Sequence, residues 1–89
     1  MSPDSILTRA AELFGVSLAA IIGTSRSRQA VAARQAVAYA LRQQAWTVVA
    51  IGKLLRRDHT TICYATRAAE QRAIASPAYA LDLLDLSQR

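Results

Sequence analysis

The sequence predicts an all-α protein, a compact bundle of about six helices that contains a helix-turn-helix. Three observations carry that prediction. Hydrophobic residues make up 53% of the 89-residue chain against only 3 Gly and 2 Pro, which favours a dense core with few loops. Apolar residues recur every three or four positions along most of the chain. Residues that start and stop helices fall between these runs. Val48-Val49 taken alone would suit a strand, but no partner strand is visible. The length is that of one domain, residues 1–89. A chain so short buries only roughly 60% of its unfolded surface, so it needs either a dense core or a partner.

The elements follow in order. Ser2-Pro3 supplies a cap and a proline at the first helical position; Ile6, Leu7, Ala10, Leu13 and Phe14 recur at helical spacing, and Gly15 stops the run. Ser17 caps a short second helix, Leu18 to Ile22, ended by Gly23. Thr24-Ser25-Arg26-Ser27-Arg28 has no periodicity and reads as an exposed basic loop. A long Ala-rich helix spans Gln29 to Gln44, with Ala30, Ala33, Val37, Ala40 and Leu41 on one face. Arg28, Gln35 and Arg42 are seven apart and share the opposite stripe, with Arg34 close by, so that one face packs and the other is free. After a break near Ala45-Trp46, Thr47 caps Val48 to Leu55, whose buried side is Val48, Ile51, Leu54 and Leu55. Arg56-Arg57 is a tight connection, and Asp58 caps a helix to about Ala75 with Ile62, Ala65, Ala69 and Ala73 inward. Ser76-Pro77 begins a last helix carrying Leu81, Leu84 and Leu83.

Charge narrows the function. Eleven Lys+Arg against six Asp+Glu give a net charge of +5. No acid lies between Glu12 and Asp58, whereas Arg26, Arg28, Arg34, Arg42, Lys53, Arg56 and Arg57 all do. A basic block with acids toward the ends is what a polyanion-binding face requires. Every cation but Lys53 is Arg, whose planar fork suits phosphates and guanine edges. The bland reading is a positive surface kept for solubility.

Two helices joined by a short turn, the second hydroxyl-rich at its start, form a helix-turn-helix pattern. In such a motif the second helix puts its first residues onto base edges in the major groove of duplex DNA. Asp58, His59, Thr60 and Thr61 open that helix. Asp accepts from cytosine N4, Thr methyls pack on thymine methyls, and an imidazole donates or accepts at a base edge. The same residues also suit plainer roles, Asp58 as a cap, His59 as a surface histidine and the threonines as first-turn residues.

Arg57-Asp58-His59-Thr60-Thr61-Ile62, preceded by Ile51-Gly52, resembles the signature of the DNA-binding domain of the bacterial replication initiator DnaA. Ser25-Arg26-Ser27-Arg28 with Ala33-Arg34-Gln35 is similar to that domain's basic loop and following helix, and Phe14-Gly15-Val16-Ser17, Leu18 and Ile21-Ile22-Gly23 to its opening helices. The resemblance spans almost the whole chain and is weakest at the terminal helix. It implies a Trp-repressor-like fold and a division of labour on double-stranded DNA. Asp58, His59, Thr60 and Thr61 would read the major groove, and Arg26 the adjacent minor groove, where an Arg suits narrow A·T-rich geometry. Arg34, Gln35 and Arg42 would hold phosphates, helped by Ser27, Arg28, the Val48 backbone and Arg57. The implied role is recognition of DnaA-box-like sites in replication-initiation control or transcriptional regulation, in the cytoplasm at the nucleoid. Two departures stand out: Leu55-Arg56 replaces the family's Gly-containing turn and is one residue shorter, and the connection Ala45-Trp46-Thr47 is trimmed.

Other chemistries fit less well. No G-x-x-x-x-G-K-[ST] run surrounds Gly15, Gly23 or Gly52, so no ATPase activity is expected. His59 and Cys63, four apart, lack further ligands, so neither a structural metal nor another cofactor is expected. Asp58 lies next to His59 in sequence, which on a helix points it elsewhere, so no catalytic site and no small-molecule substrate is expected. Tyr39, Tyr64, Tyr79 and Trp46 read as core or rim. One Cys excludes a disulfide framework, Met1-Ser2-Pro3-Asp4 lacks a basic signal region, and the stretch from Leu13 to Gly23 is too short to span a bilayer. The competing reading is a helical interaction module that binds a protein or an anionic membrane surface through its Arg-rich face. Leu81, Leu83, Leu84 and Leu86 of the last helix would then offer an interface or a homodimer contact, whereas the simpler reading has them close the domain's own core.

Overall fold

A computed structural model describes residues 3–89, all helix and connection: α1 (Pro3–Phe14), α2 (Leu18–Ile22), α3 (Arg28–Gln43), α4 (Val48–Leu55), α5 (His59–Ala75) and α6 (Pro77–Ser87). Ser2, expected to cap α1, lies outside the described residues. Each later start is fixed by a hydroxyl or carboxylate that accepts a backbone N–H: Ser17 from Ala20, Ser27 from Ala30, Thr47 from Ala50, Asp58 from Thr61 and Ser76 from Tyr79, all within 3.0–3.2 Å.

Three ends share one device. In each, an N–H reaches back five residues beyond a left-handed residue: Val16 to the Ala11 carbonyl past Gly15 (φ 64°), Trp46 to Leu41 past Ala45 (φ 68°), and Arg57 to Gly52 past Arg56 (φ 57°). The last case closes the turn of the helix-turn-helix. There the chain passes so close to α4 that a Cβ on buried Gly52 would overlap the Arg57 carbonyl oxygen.

Helix α3 is the axis of the bundle and packs against all five others. Its buried residues are Ala30, Ala33, Ala36, Val37, Ala38, Ala40 and Leu41, and they go most of the way round the helix. This corrects the expectation of one packed and one free face. Alanines on several sides let α1 and α5 approach from different directions, so α3 is exposed mainly near its ends, at Arg28 and Gln29 and at Arg42 and Gln43.

Helix α6 closes the core with Tyr79, Leu83 and Leu86, spaced four and three apart. Of the leucines expected there, Leu83 is inside, but Leu81 and Leu84 are 67% and 55% exposed. The Ser76 cap sets the register by placing Tyr79 inward. From there the Tyr79 hydroxyl donates to the Ala32 carbonyl of α3 at 2.8 Å, and the ring meets Phe14 at 5.8 Å between centroids. Arg9 of α1 donates twice to Asp85 of α6, at 3.2 and 3.1 Å, which ties the two ends of the chain together. No described helix is long and apolar enough to cross a membrane.

Candidate nucleic-acid interface

The first turn of α5 presents its polar residues outward. Asp58, His59, Thr60 and Thr61 are all exposed, while Ile62 immediately after them is buried against the core. The Asp58 carboxylate caps the helix, and the N–H of Thr61 bonded to it holds its pKa below the ordinary value. The cap bond goes to one carboxylate oxygen, Oδ1, and the group as a whole stays exposed to solvent. The four side chains therefore stand together on a helix end whose own dipole favours an approaching anion.

The connection before α3 carries a second group of exposed polar side chains. Arg26 is exposed in the 24–27 loop. Ser27 is exposed too; its hydroxyl oxygen accepts the Ala30 N–H that caps α3, and its proton remains available as a donor. Arg28 follows as the first residue of that helix and is exposed.

Of the other four expected side chains, Arg34 and Gln35 on α3 and Arg57 in the turn are half-buried and bonded to other parts of the chain, while Arg42 stays exposed as the α3 stripe predicts. Arg34 is half-buried and turned onto α2, donating from Nε to the Ile21 carbonyl at 2.7 Å and from Nη2 to Ala20 at 2.9 Å and Ser25 at 3.0 Å. Burial, and after it the nearby charge of Arg57, lowers its pKa. Gln35 is half-buried and accepts from Arg72 Nε at 2.7 Å. Arg57 is half-buried, donating to Ile22, Gly23 and Leu55 carbonyls at 2.6–3.1 Å. Arg42 alone of these is exposed, and it donates to the Trp46 carbonyl at 2.6 Å. That contact puts it beside the start of α4, where Val48 is the first residue after the Thr47 cap.

A groove of about 310 Å³ between α3 and α5 is lined by Arg34, Gln35, Arg57, Thr61 and Tyr64 among others, and so joins the α3 residues to the first turn of α5. Arg42 with Val48 forms a separate group, about 21 Å along α3 from Arg28 at 1.5 Å per residue.

Sequence reasoning left Tyr64 at the core or rim and passed over Arg67. Tyr64 is 68% exposed and Arg67 is exposed; with Thr60 and Cys63 they line a shallow depression on the outer side of α5. The signal was present, since Thr60, Tyr64 and Arg67 stand four and three apart on the helix that begins with the motif. Among the described residues no group of three or more His, Cys, Asp or Glu side chains is placed to hold a metal ion.

Comparison with known proteins places this geometry. Residues 3–68 match the family model described as the bacterial DnaA protein helix-turn-helix. The chain is 37% identical over 73 residues to chromosomal replication initiator protein DnaA 1 of Chlamydia pneumoniae, covering 81% of this chain and 16% of that protein. It is 43% identical over 65 residues to the DnaA of a Picosynechococcus species, covering 71% and 14%. With the DnaA of Thermomicrobium roseum it shares 32% identity over 91 aligned residues, covering 100% of this chain and 20% of that protein. The chain thus spans no more than a fifth of the length of these relatives.

Proposed function

The chain belongs to the bacterial DnaA helix-turn-helix family, and from that premise we propose that it binds double-stranded DNA sequence-specifically, at sites like the boxes that DnaA reads. The observation that carries this reading is the exposed Asp58-His59-Thr60-Thr61 turn, capped by Asp58, over a buried Ile62. Its side chains enter the major groove, and Arg26 the neighbouring minor groove. Arg28 with Ser27 at one end of α3, and Arg42 with the free backbone at Val48 at the other, hold phosphates on opposite sides. Their separation exceeds the roughly 12 Å width of a major groove. Gln35, beside Thr61 in the groove between α3 and α5, lies within reach of the same backbone. The chain acts as a reader without ATPase or other catalytic activity, in control of replication initiation or of transcription, in the cytoplasm at the nucleoid.

A second contact is favoured by the exposed apolar side chains near the end of α5 and on α6, where Ile74, Leu81 and Leu84 are 80%, 67% and 55% exposed. They suit weak self-association that leaves the DNA-facing end free. Sedimentation of the chain beside Leu81→Glu tests it: a monomer at every concentration removes the homodimer.

The main test is competition binding near physiological salt. A labelled duplex carrying a TTATCCACA-type box is challenged with unlabelled scrambled duplex of equal composition. A preference of about a hundredfold or more is expected, since specific binding exceeds non-specific by roughly 10³ or more in most systems. Equal competition that vanishes as salt rises would reduce the interface to phosphate attraction.

A further inference from the structure

Two guanidinium groups from different parts of the chain converge on the end of α2. Arg34 comes from the middle of α3. Besides its bonds to Ala20, Ile21 and Ser25, its Nη2 lies 3.4 Å from the Gly23 carbonyl. Arg57 comes from the turn of the helix-turn-helix and donates to the same Gly23 carbonyl at 2.6 Å, to Ile22 at 3.1 Å and to Leu55 at 2.8 Å. A helix end exposes carbonyls with no partner inside the helix, and they carry the negative pole of its dipole. Helix α2, five residues long, cannot hold itself together by its own bonds. The two Arg side chains supply what it lacks, and the shared carbonyls offset the repulsion between them.

The chain positions so joined are the ones that matter for reading DNA. Ser25, whose carbonyl Arg34 holds, is the residue before Arg26. Arg57 is the residue before Asp58. We infer that Arg34 and Arg57 are positioning residues: by together gripping the carbonyls at the end of α2 they lock the Arg26 loop to the first turn of α5, so that the minor-groove and major-groove contacts reach DNA as one rigid unit. The inference rests on the DNA reading proposed above and deepens it. It gives Arg34 a different task from the phosphate contact that its place in the sequence implies. The two tasks make different demands on chemistry. A phosphate contact needs a positive charge, which a lysine keeps; a bracket over several carbonyls needs a planar fork with donors at fixed angles, which a lysine lacks.

A double-mutant cycle separates them. Arg26→Ala is measured in the unmodified chain and in Arg34→Lys and Arg57→Lys backgrounds, on box and scrambled duplexes over a range of salt. In the unmodified chain, Arg26→Ala is expected to weaken box binding by roughly 5- to 150-fold, the range for a base contact. In either lysine background it should cost less than about twofold, because the loop no longer delivers Arg26, while the salt dependence of each lysine variant stays as in the parent. Equal losses from Arg26→Ala in all backgrounds, or lysine variants that bind as the parent does, would overturn the inference. A parent chain that shows no box preference would instead overturn the reading beneath it. Should the variants fail to fold, nuclear magnetic resonance of the unmodified chain decides. The Arg34 Nε–H signal should exchange slowly and keep its shift when box duplex is added; a new coupling of that proton to phosphorus would refute the positioning role.

Discussion

His59 stands at the first position of α5, exposed, with its neighbours Thr60 and Thr61 equally outside the core. Removing any of these side chains leaves the packing intact, so a change in DNA binding reports on contact rather than on folding. His59→Ala and Thr60→Ala are each expected to cost ~1–3 kcal/mol on a preferred duplex and little on a scrambled one, with unchanged melting temperature. Equal loss on both duplexes would defeat their assignment as base readers. A different residue-scale feature concerns stability. Ala45 and Arg56 adopt φ of 68° and 57°, the left-handed region where a Cβ is disfavoured by about 1–2 kcal/mol. Glycine removes that penalty but adds unfolded-chain entropy of about 0.4–1 kcal/mol, so Ala45→Gly and Arg56→Gly should each stabilise by ~0.5–1 kcal/mol in urea unfolding. A loss in both would mean that the Ala45 and Arg56 side chains stabilise the folded state by more than the strain they carry. At Arg56 the change would also restore a glycine to a turn that lacks one.

At the scale of elements, the helix-turn-helix depends on how tightly its turn closes. The Arg57 N–H bonds to the Gly52 carbonyl at 2.8 Å, and the Arg57 carbonyl oxygen lies closer than van der Waals contact to where a Cβ of residue 52 would be. Gly52→Ala must therefore push the turn off α4, and the obstacle is backbone rather than a flexible side chain. A loss of ~1–3 kcal/mol, as for overpacking, is expected, together with weaker box binding because Asp58 moves with the turn. Unchanged affinity in a chain that melts lower would show that α5 keeps its place without the close turn. Most boundaries of these elements were legible in the sequence because they rest on local chemistry: Ser17, Thr47, Asp58 and Ser76 each cap a helix within three residues of themselves, whereas Ser27, read as loop, caps α3 so that it starts one residue before the expected Gln29. The first turn of α5 was legible for the same reason. What stayed hidden depends on distant partners. The carbonyls that engage Arg34 lie 9–14 residues away, and those of α2 that engage Arg57 lie 34–35 away, so a seven-residue spacing on α3 could not disclose them. The burial around α3 was hidden because alanine gives a weak periodic signal, and the outward turn of Leu81 and Leu84 because all four leucines of α6 look alike until Tyr79 sets the register.

The molecule as a whole is closed by α6, which lies beyond the residues 3–68 matched by the family model yet buries Tyr79, Leu83 and Leu86. Burying side chains of this size contributes about 1.5–3 kcal/mol each before entropy is counted, a large share of the ~5–15 kcal/mol that holds a domain together. Polar contacts fix the helix at both ends. Partial burial pushes the Asp85 carboxyl up, but hydrogen bonds from Arg9 and Arg89 outweigh it and hold the carboxyl below the ordinary range. At the other end, burial pushes the Tyr79 phenol from 10.0 up to about 12. A pKa raised by folding means that the folded state favours the protonated phenol. Its stabilisation is therefore complete below pH 10 and is lost as pH climbs toward about 12. Across that window the hydroxyl that donates to the Ala32 carbonyl must give up its proton, and α6 loses its tie to α3. Thermal melts should show a fall in stability over this range that Tyr79→Phe makes shallower, at the cost of a lower melting temperature at neutral pH. If the alkaline limb is as steep in Tyr79→Phe as in the parent, the phenol is not what couples α6 to pH, and the closure of the bundle rests on its leucines and the Arg9–Asp85 pair.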